Sequence, residues 1–345
     1  MKSGGGFLEP SIPGMRCAPS GLRYFASVTI LLVAAHTPAA AQEMAKNYPE
    51  KSVRMIVAFA PGGSSDIVAR VLALHLSNLW GQQVVVDNRP GAGGMLGHEI
   101  GARASADGYT IMLTSIGPLA VNPSIYKKTG YDPVRSFAPV TLTVSLLNAV
   151  VVHPSVPAKN IRELIEYAKA RPDQVTYGSS GIGGAGHLAG ELFGIMSGTR
   201  LVHIAYKGGA PAMTDLVGGQ IQMIFATLVT ALPHMKTGRI RGLAITTKER
   251  APIVPELPTV AEAGLPGFEA NNWDGMLFPA GTPRAIVERV NRDTARVLRL
   301  PEARDLLSNQ GALPTPTTPE EFAVYITSEI AKWRDVVQRA GIRAE

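Results

Sequence analysis

The sequence predicts an α/β protein of two similar halves that flank a cleft, each half a parallel or mixed sheet flanked by helices. Strand-like apolar runs alternate with helical apolar spacing through short glycine turns, which is typical of βαβ units. The pattern restarts after a long β-rich run at 140–153. The 345 residues, of which 46% are hydrophobic and 36 are glycine, suffice for two cores joined by many tight turns.

The first half opens with residues 52–60, whose continuous apolar character predicts a buried strand. A glycine turn follows, and apolar side chains then recur at the spacing of one helix face. In order, the predicted elements are strand 52–60, turn 61–66, helix 67–80, strand 83–87, turn 91–97, helix 95–104 and strand 110–115.

The second half repeats this alternation after the run at 140–153. The predicted elements are helix 160–170, strand 175–178, turn 179–186, helix 187–197, strand 201–205, helix 210–217, and strands 223–226 and 242–246. Residues 252–272 are rich in proline and glycine, so we expect an irregular return connection there. Two C-terminal helices are predicted at 283–298 and 319–340.

A cleavable signal peptide is predicted at 1–41. Arg16 and Arg23 precede an apolar run at 24–35, and three alanines then provide a small-residue cleavage pattern. The run is too short for a membrane anchor, which needs about 20 residues. Cleavage would remove Cys17, the only cysteine of the sequence, so neither disulfides nor thiolate chemistry are expected in the mature protein.

Composition and motif spacing argue against several classes of partner. The net charge of +6 is spread thinly and aromatic residues are only 6%, so no nucleic-acid surface is predicted. The seven histidines show no H-x-x-x-H spacing, so no metal is expected. The turn at 91–97 imitates a dinucleotide fingerprint but has Leu96 where glycine is required, and no cofactor is predicted.

Two glycine turns at equivalent places in the two halves are candidate anion sites. They are GGSSD at 62–66 and GSSGIGG at 178–184, each between a strand and a helix. The free N–H groups of a helix's first turn bind anions, and serine hydroxyls add neutral donors. Two such turns facing each other could hold a carboxylate. For Asp66 a capping role is favoured over ligand contact, because its own charge would repel an anion.

A secreted serine hydrolase is the alternative of a different class. Ser180 lies in a turn that resembles a nucleophile elbow, and His187 follows on the next helix as a candidate general base. However, the elbow pattern G-x-S-x-G fails because its last position is Ile182.

Seven motifs occur in order along the chain and together point to one family. They are VAFAPGGSSD (57–66), VDNRPGAGG (86–94), DGYT (107–110), YGSSGIGGAGHLAGELF (177–193), YKGGAPAMTDLVGGQI (206–221), PELPTVAEAG (255–264) and PAGTP (279–283). From about residue 45 to the end, the sequence closely resembles the Bug-type extracytoplasmic solute receptors, the binding subunits of tripartite tricarboxylate transporters.

The resemblance implies a two-lobed periplasmic binding protein of the type II-like class, not an enzyme. Such a receptor closes on a small carboxylate in the interlobe cleft and delivers it to membrane permease subunits. The expected boundaries are 46–146 plus 270–345 for lobe 1 and 147–269 for lobe 2, with hinges near 140–152 and 269–275. A monomer is expected. The ligand remains open among di- and tricarboxylates, amino acids and aromatic acids, and a sensor serving a signalling partner is a further alternative.

Position by position, the resemblance also implies which residues contact the ligand, mainly through backbone amides and hydroxyls. A hydroxyl residue is common in the family where this chain has Gly184, so one side-chain donor is absent here. The implied contacts are Phe59, Gly62, Gly63, Ser64, Ser65, Asp66, Ser115, Ser179, Ser180, Gly181, Gly183, His187, Ala226 and Thr227.

Overall fold

The structure is a computed structural model that describes residues 46–270 and 272–341. The predicted signal peptide and Cys17 lie outside those residues. No helix within the described residues is long and apolar enough to cross a membrane. The prediction of two mixed sheets flanked by helices is confirmed.

Eleven strands, numbered in chain order, are found in the described part of the chain. They are β1 (Val53–Val57), β2 (Val84–Asn88), β3 (Thr110–Ser115), β4 (Phe137–Leu146), β5 (Asn148–Val152), β6 (Thr176–Ser179), β7 (Val202–Ala205), β8 (Met223–Thr227), β9 (Arg241–Ile245), β10 (Asn272–Pro279) and β11 (Ala312–Pro314).

Ten α-helices accompany them in the same residues. They are α1 (Ser64–Trp80), α2 (Met95–Ala102), α3 (Asn122–Ile125), α4 (Ile161–Lys169), α5 (Ala185–Ser197), α6 (Gly209–Val217), α7 (Leu228–Lys236), α8 (Arg284–Arg299), α9 (Pro301–Ser308) and α10 (Pro319–Ala340). A π-helical turn, Gly117–Val121, leads into α3.

The strands form two sheets, and we call the part of the chain built on each a lobe. The sheet of the first lobe has the order β11-β4-β10-β3-β1-β2, and that of the second lobe has the order β7-β6-β8-β5-β9. In the first, β1 runs parallel to β2 and β3, while β10 is antiparallel to β3 and β4. In the second, β6 runs parallel to β7 and β8, and β5 is antiparallel to β8 and β9.

Each sheet is buried on both faces, which explains why its strands are continuously apolar in sequence. Along β1, Met55 belongs to one hydrophobic cluster and its neighbour Ile56 to another, because successive side chains point to opposite faces. Along β5, Val150 and Val151 divide between two further clusters in the same way. Helices therefore cover both sides of each sheet.

The β-rich run at 140–153 is not one strand. It divides at Leu147 into β4, in the first sheet, and β5, in the second. The Leu147 N–H donates to the Gly311 carbonyl, and its own carbonyl accepts from the Leu228 N–H. The backbone at this crossing is therefore bonded to both lobes.

Several elements were not predicted: β10, β11, α3, α7 and α9. Strand β10 lies where a loose return connection was expected to end, and its sequence NWDGMLFP contains residues that usually mark turns. Pairing with β3 and β4 on both sides makes it a buried strand nevertheless. Helix α7 carries Pro233 in its interior, which local rules disfavour.

Candidate functional site

A cavity of about 60 Å³ lies between the lobes, at the carboxyl ends of strands from both sheets. This is the position where open α/β sheets generally bind ligands. Its volume corresponds to a few water molecules, so a small ligand fits best. The lining residues are Phe59, Gly63, Ser64, Ser65, Ser115, Ile116, Asn148, Ser179, Ser180, Gly184, Ala185, Gly186, Gly209, Ala212, Ile224, Phe225, Ala226, Thr227, Thr230 and Asn272.

Four helices begin at this cavity. The first residues of α1, α5 and α6 line it, as does the residue that precedes α7. Their N-cap residues are Gly63, Gly184, Gly208 and Thr227, and none of them caps its helix by a side-chain hydrogen bond to a backbone N–H. The Thr227 hydroxyl instead lies 3.1 Å from that of Thr230. N–H groups of the first turns are therefore available for a ligand, and the positive ends of four helix dipoles meet there.

The cavity wall is neutral. Among the described residues that line it, none carries an ionisable side chain. Hydroxyls from serines and threonines, two asparagines and backbone groups supply its polarity. No group of residues suited to a metal ion was found in the described part of the chain. The electrostatic character of the site therefore comes mainly from peptide dipoles, which favour an anion.

Asp66 holds the first glycine turn together. Its carboxylate accepts hydrogen bonds from the Gly62 N–H at 2.8 Å, the Arg70 Nε at 2.9 Å and the Asn88 Nδ2 at 3.0 Å. Burial alone would raise the pKa of this carboxyl, but these donors lower it below its usual value. Asp66 is therefore ionised, and its hydrogen bonds stabilise the turn.

Ser179 organises the second glycine turn. Its Oγ accepts from the Gly181 N–H at 3.1 Å and lies 2.6 Å from the His203 Nε2. The Gly183 N–H donates to the His187 Nδ1 at 3.1 Å, and the two imidazole rings stack with centroids 4.1 Å apart. The contacts of Ser179 with His203 and of Gly183 with His187 thus stabilise the turn.

Burial keeps this histidine pair neutral. It lowers the pKa of His203 to about 3, helped by the neighbouring His187, and it lowers the pKa of His187 as well. Neutral imidazoles can accept hydrogen bonds from the turn, as His187 does from the Gly183 N–H. The pair therefore supports the turn without adding positive charge beside the cavity.

Asp274, on β10, is a buried carboxyl next to the wall. It is fully buried, and its Oδ1 accepts a hydrogen bond from the Ser65 Oγ at 3.0 Å. Its Oδ2 has no partner among the described residues. Burial raises the pKa of Asp274 to about 7, although the bond from Ser65 opposes this shift.

Comparison with known proteins identifies the family. A family model described as the tripartite tricarboxylate transporter family receptor matches residues 68–342. The chain belongs to this receptor family.

Individual relatives agree with the family match and confirm the resemblance to Bug-type receptors. The receptor is 37% identical to protein BugT of Bordetella pertussis over 305 residues, 88% of this chain and 94% of BugT. It is similar to the solved structure of R. palustris Rpa4515 with adipate (38% identity, TM-score 0.84, 86% of this chain and 99% of that one). It is also similar to MatC from Rhodopseudomonas palustris with bound malate (31% identity, TM-score 0.81, 84% and 100%). The two-lobed binding-protein fold is thereby confirmed.

The receptor's structure brings most of the predicted contact residues to one cavity. Those that line it are Phe59, Gly63, Ser64, Ser65, Ser115, Ser179, Ser180, Ala226 and Thr227. Five others, Gly62, Asp66, Gly181, Gly183 and His187, are not part of its wall. They belong to the hydrogen bonds that shape the two glycine turns, as described above.

Two asparagines at the wall were not anticipated from the sequence. Asn148 begins β5, and Asn272 begins β10, so both lie where the chain passes between the lobes. Asn148 could have been noticed, because asparagine is depleted from strands and this one interrupts a run of leucines and valines. Asn272 lies at the edge of the segment read as an irregular connection. Trp273, next to it, packs against Phe322 and Tyr325 and serves the core.

Proposed function

We propose that this receptor captures a small carboxylate in the cavity between its lobes. The observation that carries the proposal is the convergence of four helix starts, without side-chain caps, on a cavity that no ionisable side chain lines. Peptide N–H groups and neutral hydroxyls can hold a carboxylate without a buried arginine. The adipate and malate held by the related R. palustris proteins support the same ligand class.

We infer that capture is coupled to closure of the two lobes and serves a transporter. The proposed hinges are the crossing at Leu147 and the return near 270, with 46–146 plus 270–345 moving against 147–269. Delivery to permease subunits follows from the family. The mature protein is proposed to be a periplasmic monomer, exported by a signal peptide at 1–41.

Contacts between the lobes in this structure support closure as the working motion. The Ala60 N–H donates to the Lys207 carbonyl at 3.0 Å, which joins the first glycine turn to the second lobe. On another part of the interface, a Cβ added to Gly117 would lie 2.9 Å from the Gly183 carbonyl oxygen and 3.2 Å from the Gly184 Cα. Close approach of the two backbones therefore depends on glycine at this position.

Replacing Gly117 by alanine is expected to weaken carboxylate affinity about 5- to 100-fold. The added methyl group meets backbone atoms of the other lobe only when the lobes are together, and such overpacking costs about 1–3 kcal/mol. The backbone angles at Gly117 suit any residue, so stability without ligand should change little. Calorimetric titration measures the affinity. Gly218→Ala, at the end of α6, is the control and should bind normally, and an unchanged affinity in Gly117→Ala would contradict closure at this contact.

We further infer that the protein is not a hydrolase. His187 uses its Nδ1 for the Gly183 N–H, and its Nε2 lies 3.8 Å from the Glu191 Oε1, so both ring nitrogens are turned to partners other than Ser180. Within the second glycine turn, the serine that contacts a histidine is Ser179, and its Oγ is also bound to the Gly181 backbone. Purified protein should leave simple esters intact.

A thermal-shift screen of the mature chain against organic acids tests the proposal. The protein is first unfolded and refolded to remove any bound ligand. A ligand at 100 times its dissociation constant adds about 2.7 kcal/mol to the free energy of unfolding. For a chain of this size we expect a rise in Tm of about 5 °C or more for some carboxylates and none for neutral sugars. A folded protein that no carboxylate stabilises would overturn the proposed function.

A further inference from the structure

Asn148 differs from the other residues of the cavity wall. Its side chain is 1% exposed, and neither its Nδ2 nor its Oδ1 has a hydrogen-bond partner among the described residues. Of the described residues that line the cavity, it alone has buried side-chain polar atoms without a partner. Buried polar side chains are nearly always paired. We therefore expect the amide of Asn148 to form hydrogen bonds with a molecule that binds in the cavity.

The backbone of Asn148 is held by the second sheet. It begins β5, and its backbone carbonyl accepts the Thr246 N–H at 2.9 Å. In the β5–β8 ladder it pairs with Thr227, which also lines the cavity. The side chain is therefore carried by the first residue of an interior strand, beside one of the four helix starts.

The chemistry of a carboxamide defines what this partner must offer. The Nδ2 donates two hydrogen bonds and the Oδ1 accepts hydrogen bonds. An ionised carboxylate can only accept, so a plain dicarboxylate would satisfy the Nδ2 and leave the Oδ1 unpaired. A ligand that satisfies both atoms must also carry a hydrogen-bond donor close to its carboxylate.

A neutral donor suits this cavity better than a charged one. A ligand ammonium group would have to leave water, and such a transfer is costly without a carboxylate beside it. No acidic side chain lines the cavity in the described part of the chain. Of the two carboxyls near it, Asp66 is already bound by Arg70 and Asn88. The other, Asp274, lies behind Ser65, whose hydroxyl donates to it, and burial favours its uncharged form by raising its pKa. An alcohol O–H makes the same hydrogen bond without that cost.

We propose that Asn148 is a specificity-determining residue that selects carboxylates bearing a hydroxyl group over the same acids without it. The inference rests on the proposed capture of a carboxylate and names the class within it. The ligand hydroxyl donates to the Asn148 Oδ1, while the Nδ2 donates to a ligand oxygen. Loss of the hydroxyl leaves a buried acceptor unpaired, which should weaken binding about 10- to 100-fold.

Matched pairs of acids test this by calorimetric titration of the mature protein. Malate and succinate differ in one hydroxyl, lactate and propionate form a shorter pair, and L-aspartate carries an ammonium in place of the hydroxyl of malate. We expect the wild type to bind the hydroxy acid at least about tenfold more tightly in the pair that fits. In Asn148→Leu, of similar size, the two members of that pair should differ by less than about threefold. Asn291→Leu is the control, because the Asn291 Nδ2 donates to Val140 and Thr317, away from the cavity.

Each outcome is decisive. Equal affinities for hydroxy and deoxy acids in the wild type would overturn the role of Asn148 and leave carboxylate capture standing. Stronger binding of aspartate than of malate would overturn the choice of a hydroxyl donor. A wild-type preference that survives in a folded Asn148→Leu would assign the selection to another residue. If no carboxylate binds, the proposed function fails and this inference fails with it. If Asn148→Leu does not fold, the comparison of hydroxy and deoxy acids in the wild type still tests the proposal.

Discussion

Replacing Ser180 by aspartate is expected to abolish carboxylate binding, with a loss of affinity of at least about 1000-fold. Ser180 lies at the cavity wall, beside the start of α5, where a Cβ added to Gly184 would be 2.7 Å from the Ser180 Oγ. An aspartate there places a fixed negative charge next to the proposed position of the ligand. Like charges brought together in a cavity sheltered from water cost several kcal/mol.

The same substitution should leave the fold intact. A carboxylate beside the first turn of α5 interacts favourably with the helix dipole, so the Tm of the ligand-free variant should equal or exceed that of the wild type. Ser180→Asn is the matched control, because it has the shape of the aspartate without its charge and should retain most of the binding. Comparable affinities of the two variants in calorimetric titration would show that the carboxylate lies elsewhere.

Replacing Asp274 by asparagine is expected to stabilise the protein at alkaline pH. The pKa of the buried Asp274 carboxyl is raised to about 7, against 3.8 as the ordinary value. Ionising this group in the folded protein therefore costs roughly 4 kcal/mol relative to the unfolded chain. An asparagine keeps an acceptor for the Ser65 hydroxyl and cannot ionise.

The direction of the pH dependence follows from the raised pKa. Below about pH 4 the carboxyl is protonated in both the folded and the unfolded protein, so it does not lower the free energy of unfolding. Between about pH 4 and pH 7 the unfolded chain ionises while the folded protein does not, so stability falls as pH rises. Above about pH 7 both states are ionised and the cost of burying the charge is constant. The advantage of Asp274→Asn over the wild type should grow by about 2–3 kcal/mol between pH 5 and pH 8.

Urea unfolding of both proteins at pH 5 and pH 8 measures this difference, and the comparison cancels the titration of the histidines. Asp173→Asn serves as a control, since the Asp173 side chain is 61% exposed and pairs with Arg200 at the surface. Its difference from the wild type should change little with pH. A free-energy difference between Asp274→Asn and the wild type that is the same at both pH values would contradict the assigned ionisation.

The alternating part of the fold could be predicted from the sequence because its signals are local. Apolar strands, helical spacing and glycine turns occur within short stretches, and all the strands predicted in those stretches are present. Strand β10 and the division of the 140–153 run at Leu147 depend on pairing between distant segments. No short stretch of sequence contains that information. The turn-forming residues of NWDGMLFP therefore favour an irregular connection when the sequence is considered alone.

In the site, too, the local features could be predicted from the sequence and those that depend on distant segments could not. The two glycine turns are contiguous in sequence, so their meeting at one cavity could be anticipated. Whether a residue in such a turn faces the ligand or braces the turn depends on its bonds, and Asp66 and His187 brace it. Asn148 and Asn272 reach the wall through the crossings between lobes, which appear only once both sheets are assembled.

The four helix starts at the cavity have a consequence for how this protein can evolve. A peptide N–H belongs to every residue except proline, so most single mutations leave such an anion site in place. An arginine-based site would be lost by one substitution. The side chains around the amides are thus free to vary and to admit acids of new shape, while the N–H groups that we propose to bind the acid group are retained. Gene duplication followed by drift at the wall would then yield receptors for different acids from one ancestral scaffold.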